Sequence, residues 1–141
     1  MGGAKLSEKL DTLNALGEVA DKILVGGAMA YTLLKAQGVS IGKSLVEEDK
    51  IEVAKEIISK YGAKLVLPVD HMVATEFSDS ASYNYISEQN ISDGMIAIDI
   101  GLETIKLFKQ EISNAKSILW NGPMGVFEWS HSGVGTQEIG Q

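Results

Sequence analysis

The sequence predicts an α/β fold in which a parallel β-sheet carries helices on both faces. Short apolar runs alternate with segments of helical periodicity, and parallel strands need crossover connections of this kind. The strand-like runs are apolar throughout, as is typical of a sheet that is buried on both faces. Glycines or polar residues follow each run, at the edge where such sheets bind ligands. These observations favour a three-layer, Rossmann-like arrangement.

The segment up to Gly38 predicts a helix, a strand and a second helix. The apolar run 22–25 predicts a buried strand and ends at two glycines. The second helix extends from about Ala28 to Gln37, where Gly38 ends it. The first helix has one apolar stripe, with leucines spaced by four, three and three residues: Leu6, Leu10, Leu13 and Leu16.

A third helix is expected to begin at a capping box formed by Ser44 and Glu47. Gly62 ends this helix, and the apolar run 64–69 predicts the second strand. The face of the helix expected to be buried consists of Ile51, Ala54, Ile57, Ile58 and Tyr61.

The second half of the chain predicts two more strands and two more helices. Residues 70–93 are polar and favour a long connection with a short helical piece. Residues 95–98 predict the third strand, residues 117–120 the fourth, and residues 133–141 the opening of a final helix. Between these two strands, a helix is indicated by the stripe Leu102, Ile105, Phe108 and Ile112.

Composition restricts the partners of the protein. Without cysteine there are no disulfides, thiolate zinc sites or Cys nucleophiles. The net charge of −7 disfavours nucleic acid. All twelve basic residues are lysines, so phosphate recognition depends on lysine, backbone N–H groups and helix N-termini. No apolar run reaches the ~18 residues of a membrane span. We therefore expect a cytoplasmic protein that binds neither nucleic acid nor membrane.

Residues 38–44 look like a phosphate-binding Walker A loop, but three residues separate the two glycines where that motif needs four. The segment also follows a predicted helix, whereas the motif follows a strand. We therefore interpret it as a loop whose Ser44 caps the next helix.

Two glycine-rich segments are better candidates for a phosphate site. Residues 2–5 with Lys9 place small residues and two lysines at the start of a helix, where the dipole favours an anion. Solvated lysines at a frayed terminus are the structural alternative. Residues 26–30 lie at a strand-to-helix turn, where glycines serve either phosphate binding or close packing.

Residues 120–128 form the most distinctive segment. Asn121 would follow a strand at the carboxyl edge of the sheet, as part of a site or as a turn residue. Glu128 has a carboxylate of the kind that accepts hydrogen bonds from ribose hydroxyls.

These segments resemble the phosphoglycerate kinase family in their order and spacing, and the resemblance extends through nearly the whole chain. Five motifs carry it: Gly2-Gly3-Ala4-Lys5 with Lys9, Gly26-Gly27-Ala28-Met29-Ala30, Ile41-Gly42-Lys43-Ser44-Leu45, Leu67-Pro68-Val69-Asp70, and Trp120-Asn121-Gly122-Pro123-Met124-Gly125-Val126-Phe127-Glu128.

The resemblance implies reversible phosphoryl transfer between 1,3-bisphosphoglycerate and ADP in glycolysis, with Mg²⁺. It implies that residues 1–141 are part of the C-terminal, nucleotide-binding domain, incomplete at both ends. ADP or ATP would be the ligand, and phosphoglycerate would bind only through a missing N-terminal domain. Lys5 and Lys9 would contact phosphates, and Glu128 would bind the ribose. The remaining contacts implied are Gly3, Ala4, Gly27 and Ala28 around the nucleotide, Ala97 and Ile98 at adenine, and Asn121, Gly122 and Pro123 near the phosphates.

The chain also departs from the family pattern. Ala28 and Ala97 stand where the family commonly has glycine. The family's later Gly-Gly-Gly-Asp segment, which holds the metal, is absent, so no catalytic residue is assigned and the magnesium ligand is expected outside the chain. We therefore expect no turnover from this chain alone.

Two interpretations stay open at the level of sequence. The chain is either a part of a kinase, as the resemblance implies, or a standalone nucleotide-binding or interaction module. A flavodoxin-like receiver or a hydrolase is disfavoured, because neither an acidic phospho-acceptor cluster nor a nucleophile elbow is present.

Overall fold

A computed structural model of the chain describes residues 1–3, 5–76, 83–120, 122, 124–125 and 134–140. Its helices are α1 (Leu6–Val19), α2 (Ala28–Ala36), α3 (Ile51–Tyr61), α4 (Leu102–Ser113) and α5 (Val134–Gly140). Its strands are β1 (Ile23–Leu24), β2 (Leu65–Val66), β3 (His71–Ala74), β4 (Tyr83–Ile86) and β5 (Ile96–Ile100). A single 3₁₀ turn, Glu48–Lys50, precedes α3.

The described strands form two small sheets. β1 and β2 are parallel, with Ile23 opposite Leu65, and α2 and α3 lie between them in the chain as the crossover. β3 lies between β4 and β5 and is antiparallel to both. The chain is therefore a mixed α/β structure with a small parallel sheet, and its larger described sheet is antiparallel.

The three helices expected from apolar stripes, the second helix expected from about Ala28 to Gln37, and the final helix are confirmed. Their apolar faces meet in one core, in which α2 is buried on nearly every side. Leu6 and Leu13 of α1 pack into this core together with Ile57 of α3. One position in a predicted stripe is wrong, because Leu102 of α4 is 57% exposed.

Two predicted elements are wrong. Residues 117–120 form no strand: no described strand runs beside them to complete a hydrogen-bond ladder, and Leu119 is 67% exposed. The polar stretch 70–93 was expected to be a connection with a helical piece, but its described part contains β3 and β4. Its polarity reflects the exposed position of β4 at the sheet edge, where Asn84 and Tyr85 face solvent.

The expected capping box at α3 is also wrong. Neither Ser44 nor Glu47 caps α3, whose first turn has no side-chain cap. Ser44 is buried, and its hydroxyl accepts the N–H of Ala97 at 2.8 Å. The interpretation of residues 38–44 as a loop is confirmed, since they contain one turn and an isolated bridge from Ile41 to Ile91.

No helix among the described residues is long and apolar enough to cross a membrane.

Candidate functional site

Three glycine-bearing segments that are distant in sequence meet at the carboxyl end of β1. Gly27 has a φ of +75°, and a Cβ there would lie 2.6 Å from the carbonyl oxygen of Gly3. Gly122 has a φ of +88°, and a Cβ there would overlap the carbonyl of Gly2. Both positions combine a left-handed backbone with close approach, so glycine is required. We call this meeting of residues 1–3, 26–28, 122 and 124–125 the glycine junction.

Backbone hydrogen bonds hold the glycine junction together. Gly26 donates its N–H to Met1 at 2.9 Å, and Gly27 donates to Met124 at 2.8 Å. Met29, in the first turn of α2, donates to Gly3 at 3.0 Å. Because these bonds use main-chain groups, the junction presents backbone rather than bulky side chains at the start of α2.

Lys9 lies at this junction. Its Cε is 3.2 Å from the point where a Cβ on Gly3 would stand. Burial, and then the charge of Lys9, lower the pKa of the Met1 amino group to about 6, which also places the lysine ammonium close by.

Lys5 is exposed at the N-cap of α1 and lies near a different group. A carboxylate of the same chain already occupies the first turn of this helix, since Glu47 accepts the N–H and the hydroxyl of Ser7 at 3.0 and 2.7 Å. Burial opposes ionisation of Glu47, but hydrogen bonds from Ser7 and Leu6, with the charge of Lys5, hold its pKa below the ordinary value. The anion that this helix start was expected to favour is therefore present as Glu47.

The two residues expected at adenine lie inside the fold, on β5. Ala97 is 4% exposed and Ile98 is 1% exposed. The turn at Met124 and Gly125 packs against Ile98, because a Cβ on Gly125 would lie 2.5 Å from the carbonyl oxygen of Ile98. Ile98 therefore lies beneath the same segment that contributes to the glycine junction.

Two buried aspartates follow the strand-like runs next to this region. Asp70 accepts the N–H groups of Glu103 and Thr104 at 2.8 and 2.9 Å, together with the hydroxyls of Thr104 and Tyr85. Burial opposes its ionisation, but these donors hold the pKa of Asp70 below its ordinary value.

Among the described residues, Asp99 accepts two backbone donors, from Ile100 and Gly135, each at 2.8 Å. Burial therefore dominates and raises the pKa of Asp99 to about 7. Both aspartates were visible in the sequence at the ends of apolar runs, but their donors lie on other elements.

The structure places most of the other expected contact residues at the glycine junction: Gly3, Lys9, Gly27, Ala28 and Gly122. Lys5 lies apart from them, near Glu47. Ala4, Asn121, Pro123 and Glu128 lie outside the described residues.

The described residues do not fit a magnesium site. No group of three or more His, Asp or Glu side chains among them is placed to hold a metal ion. The carboxylate nearest the glycine junction in this part of the chain, Asp99, is buried and already accepts two N–H groups. No step involving a metal is assigned to these residues.

Comparison with known proteins identifies relatives along the full length. The profile of a family described as "Phosphoglycerate kinase" matches residues 1–141. The curated phosphoglycerate kinases of Limosilactobacillus fermentum and Lacticaseibacillus casei are 53% and 54% identical over the whole chain. The chain spans 35% of the length of each of these relatives.

Solved structures agree with this relationship. The phosphoglycerate kinase of Coxiella burnetii superposes with a TM-score of 0.93 at 37% identity, over 98% of this chain and 36% of that one. The enzyme of Pyrococcus horikoshii OT3 superposes with a TM-score of 0.82 at 28% identity, with the same coverage. Both likenesses extend over nearly all of the chain and about a third of each neighbour.

Proposed function

The chain belongs to the phosphoglycerate kinase family of phosphotransferases, and from this premise we propose that residues 1–141 are the ADP/ATP-binding part of such an enzyme. The whole reaction would be reversible phosphoryl transfer between 1,3-bisphosphoglycerate and ADP, in the cytoplasm. The phosphoglycerate substrate would bind to parts of a full-length relative that this chain does not span. The complete domain would be a three-layer, Rossmann-like structure to which β1, β2 and their crossover helices contribute.

The glycine junction is the observation that supports this proposal. Gly27 approaches Gly3, and Gly122 approaches Gly2, so closely that a side chain at Gly27 or Gly122 would overlap backbone. A surface made of backbone at the start of a helix suits a flat base or a phosphate chain, since small residues allow close approach and the helix dipole favours anions. Ala28 begins that helix.

Lysine supplies the positive charge at this site. Lys9 lies beside Gly3, where its ammonium would neutralise a nucleotide phosphate. We assign Lys5 a weaker role, because its charge is directed at Glu47. Ala97 and Ile98 would border adenine, with Ile98 beneath the turn at Gly125. Asn121 with Gly122 and Pro123 would lie near the phosphates, Ala4 beside the nucleotide, and Glu128 at the ribose.

Phosphoryl transfer depends on positioning and on neutralising charge rather than on covalent chemistry by the protein. Mg²⁺, held in the complete enzyme by ligands outside this chain, would supply positive charge to the nucleotide phosphates. The residues described here would bind and orient the nucleotide. A chain without the second substrate's site is therefore expected not to turn over.

An NMR titration of the ¹⁵N-labelled chain with ADP tests the binding site. We expect millimolar ADP to shift the amide signals of Gly3, Gly27 and Ala97, and adenosine to leave those of Gly3 and Gly27 nearly unchanged. Lys9→Gln should weaken ADP binding about fivefold to tenfold, as expected for loss of one charged phosphate contact. Lys22→Gln is the matched control, because Lys22 is an exposed lysine at the other end of β1.

Two results would contradict the proposal. One is an absence of amide shifts at the glycine junction at saturating ADP in the full chain. The other is equal weakening by Lys9→Gln and Lys22→Gln, which would indicate nonspecific attraction. A coupled assay for ATP formation addresses the expected inactivity, and turnover at the rate of a complete enzyme would refute it.

A further inference from the structure

Asp99 connects β5 with α5. It lies near the carboxyl end of the strand, directly after Ala97 and Ile98, and only 1% of its surface is exposed. One carboxylate oxygen accepts the N–H of Ile100 and the other accepts that of Gly135, each at 2.8 Å. Since Gly135 is in the first turn of α5, these bonds join two elements that are 36 residues apart.

The turn at Met124 and Gly125 packs against both Asp99 and α5. A Cβ on Gly125 would lie 2.6 Å from the Oδ1 atom of Asp99. The N–H of Met124 donates to the hydroxyl of Thr136 in α5 at 2.9 Å, and its carbonyl accepts the N–H of Gly27 at 2.8 Å. A continuous series of contacts therefore extends from Asp99 through α5 and this turn to the glycine junction.

We propose that Asp99 is a positioning residue of the nucleotide site, whose carboxyl group docks α5 and the Met124–Gly125 turn onto the carboxyl end of β5. The effect of Asp99 on nucleotide binding rests on the proposed function, because nucleotide contacts are assigned to Ala97, Ile98 and Gly27. The docking of α5 does not, because it is a property of the nucleotide-free chain. The docking and its effect on binding are therefore tested separately.

The charge state of Asp99 makes this docking depend on pH. Among the described residues no ion pair involves Asp99, and the ionisable group coupled to it is Tyr31 of α2. Burial and then the charge of Asp99 raise the pKa of Tyr31, so both side chains are disfavoured as anions. From α5 and β5, Asp99 receives only the two backbone N–H groups recorded in this part of the chain.

The direction of the pH dependence follows from linkage. Burial raises the pKa of Asp99 to about 7 while α5 is docked, and release of α5 would hydrate the carboxyl and return its pKa towards about 4. The docked state is therefore favoured at low pH and weakens as the pH rises. Between pH 6 and pH 8 its equilibrium constant should fall about tenfold.

Amide hydrogen exchange in the nucleotide-free chain tests the docking. Protection factors, which correct for intrinsic exchange at each pH, are compared for α5 and for α4 in wild type, Asp99→Asn and Asp99→Leu. Asparagine keeps one acceptor oxygen and cannot ionise, whereas leucine has the same branching with larger methyl groups and no acceptor. Asp93→Asn removes an exposed aspartate elsewhere and is the matched control.

In wild type and in Asp93→Asn, we expect α5 protection to fall about tenfold from pH 6 to pH 8 while α4 protection stays constant. Asp99→Asn should retain α5 protection without this pH dependence. Asp99→Leu should lose α5 protection at both pH values. Gly135→Ala tests the contact from the other side, because its methyl group would overlap Oδ1 of Asp99. Wild-type protection of α5 in Asp99→Leu and Gly135→Ala would overturn the docking.

An ADP titration of the same variants tests the consequence for the site. We expect Asp99→Leu to lose the ADP-induced shifts at Ala97 and Gly27, and Asp99→Asn to retain them. If Asp99→Leu loosens α5 and binds ADP normally, Asp99 is not a positioning residue of this site. If wild type itself shows no ADP response, the proposed function fails, and the exchange data alone decide the docking.

Discussion

Asp70 and Asp99 are both buried aspartates that accept N–H groups in the first turn of a helix, α4 and α5 respectively, yet they differ in their donors. Asp70 is held by two backbone N–H groups and two hydroxyls, whereas Asp99 is held by two backbone N–H groups. The pKa of Asp70 falls below its ordinary value, and burial raises that of Asp99 to about 7.

The difference shows that the donors around a buried carboxylate decide whether burial or hydrogen bonding sets its charge. Because its pKa is lowered, Asp70 is an anion at neutral pH and holds α4 without a change of charge there. Asp99 changes charge near neutral pH, so its hold on α5 depends on conditions. α5 lies beside the proposed nucleotide site, and a site that opens for its ligand needs such a weaker attachment.

Replacement of Asp70 by alanine should have the largest effect on the fold. The substitution removes the acceptor for four donors, including the buried Thr104 hydroxyl, and should lower the free energy of unfolding by about 5 kcal/mol. Urea denaturation at pH 7 measures this. Asp93→Ala should change stability by less than about 0.5 kcal/mol. Equal losses in both variants would show that the contacts of Asp70 do not stabilise α4.

The pH dependence of stability separates the two aspartates. Because the folded-state pKa of Asp99 is raised, its contribution is fully present below about pH 4 and is lost as the pH rises through about 7. A shift from 3.8 to about 7 corresponds to roughly 4 kcal/mol.

Asp70 has the opposite sign, because its lowered pKa gives stability above about pH 4 that is lost in stronger acid. In urea denaturation between pH 4.5 and pH 8, stability should fall more steeply with pH, or rise less, in wild type than in Asp99→Asn, because the lowered pKa of the Met1 amino group acts in the opposite direction in both proteins. An equal pH dependence in the two proteins would show that Asp99 does not contribute to it.

A smaller loss of unfolding free energy is expected when only the Thr104 hydroxyl, one of the donors to Asp70, is removed. Thr104→Val has the same shape but cannot donate to Asp70 or accept the N–H of Val69 at 3.0 Å. We expect a loss of about 2 kcal/mol in unfolding free energy. Thr104→Ser keeps the hydroxyl and should lose about half as much or less. If valine and serine are equally destabilising, lost packing rather than hydrogen bonding is responsible.

The smallest effect is expected at Leu102, in the first turn of α4. Its side chain is 57% exposed, although the apolar pattern assigned it to the core face. Leu102→Gln should therefore change stability by less than about 0.5 kcal/mol, while Phe108→Ala, in the buried part of the same stripe, should cost about 3–5 kcal/mol. A large loss for Leu102→Gln would show that apolar contact helps Asp70 to hold α4.

The sequence by itself determined the helices and the family. The stripes of α1, α3 and α4 are local patterns, because residues three and four apart share a face in any helix, whatever surrounds it. Five motifs, with Gly27 and Gly122 among their residues, resemble the family in their order and spacing, and the family profile that matches residues 1–141 confirms the resemblance. The Ser117–Trp120 run shows the limit of such patterns. Its apolar residues predict a strand, but a strand forms only where a neighbouring strand supplies hydrogen-bond partners.

The tertiary structure alone decided which groups the polar side chains meet and what charge they carry. Ser44 lies near a sequence position suited to a helix cap, yet it binds Ala97, 53 residues away. Glu47 caps α1 from 40 residues away, and Asp70 caps α4 from 34. The different charges of Asp70 and Asp99 follow from donors and burial that exist only once distant segments pack, because desolvation and hydrogen bonding belong to the assembled environment and not to the residue.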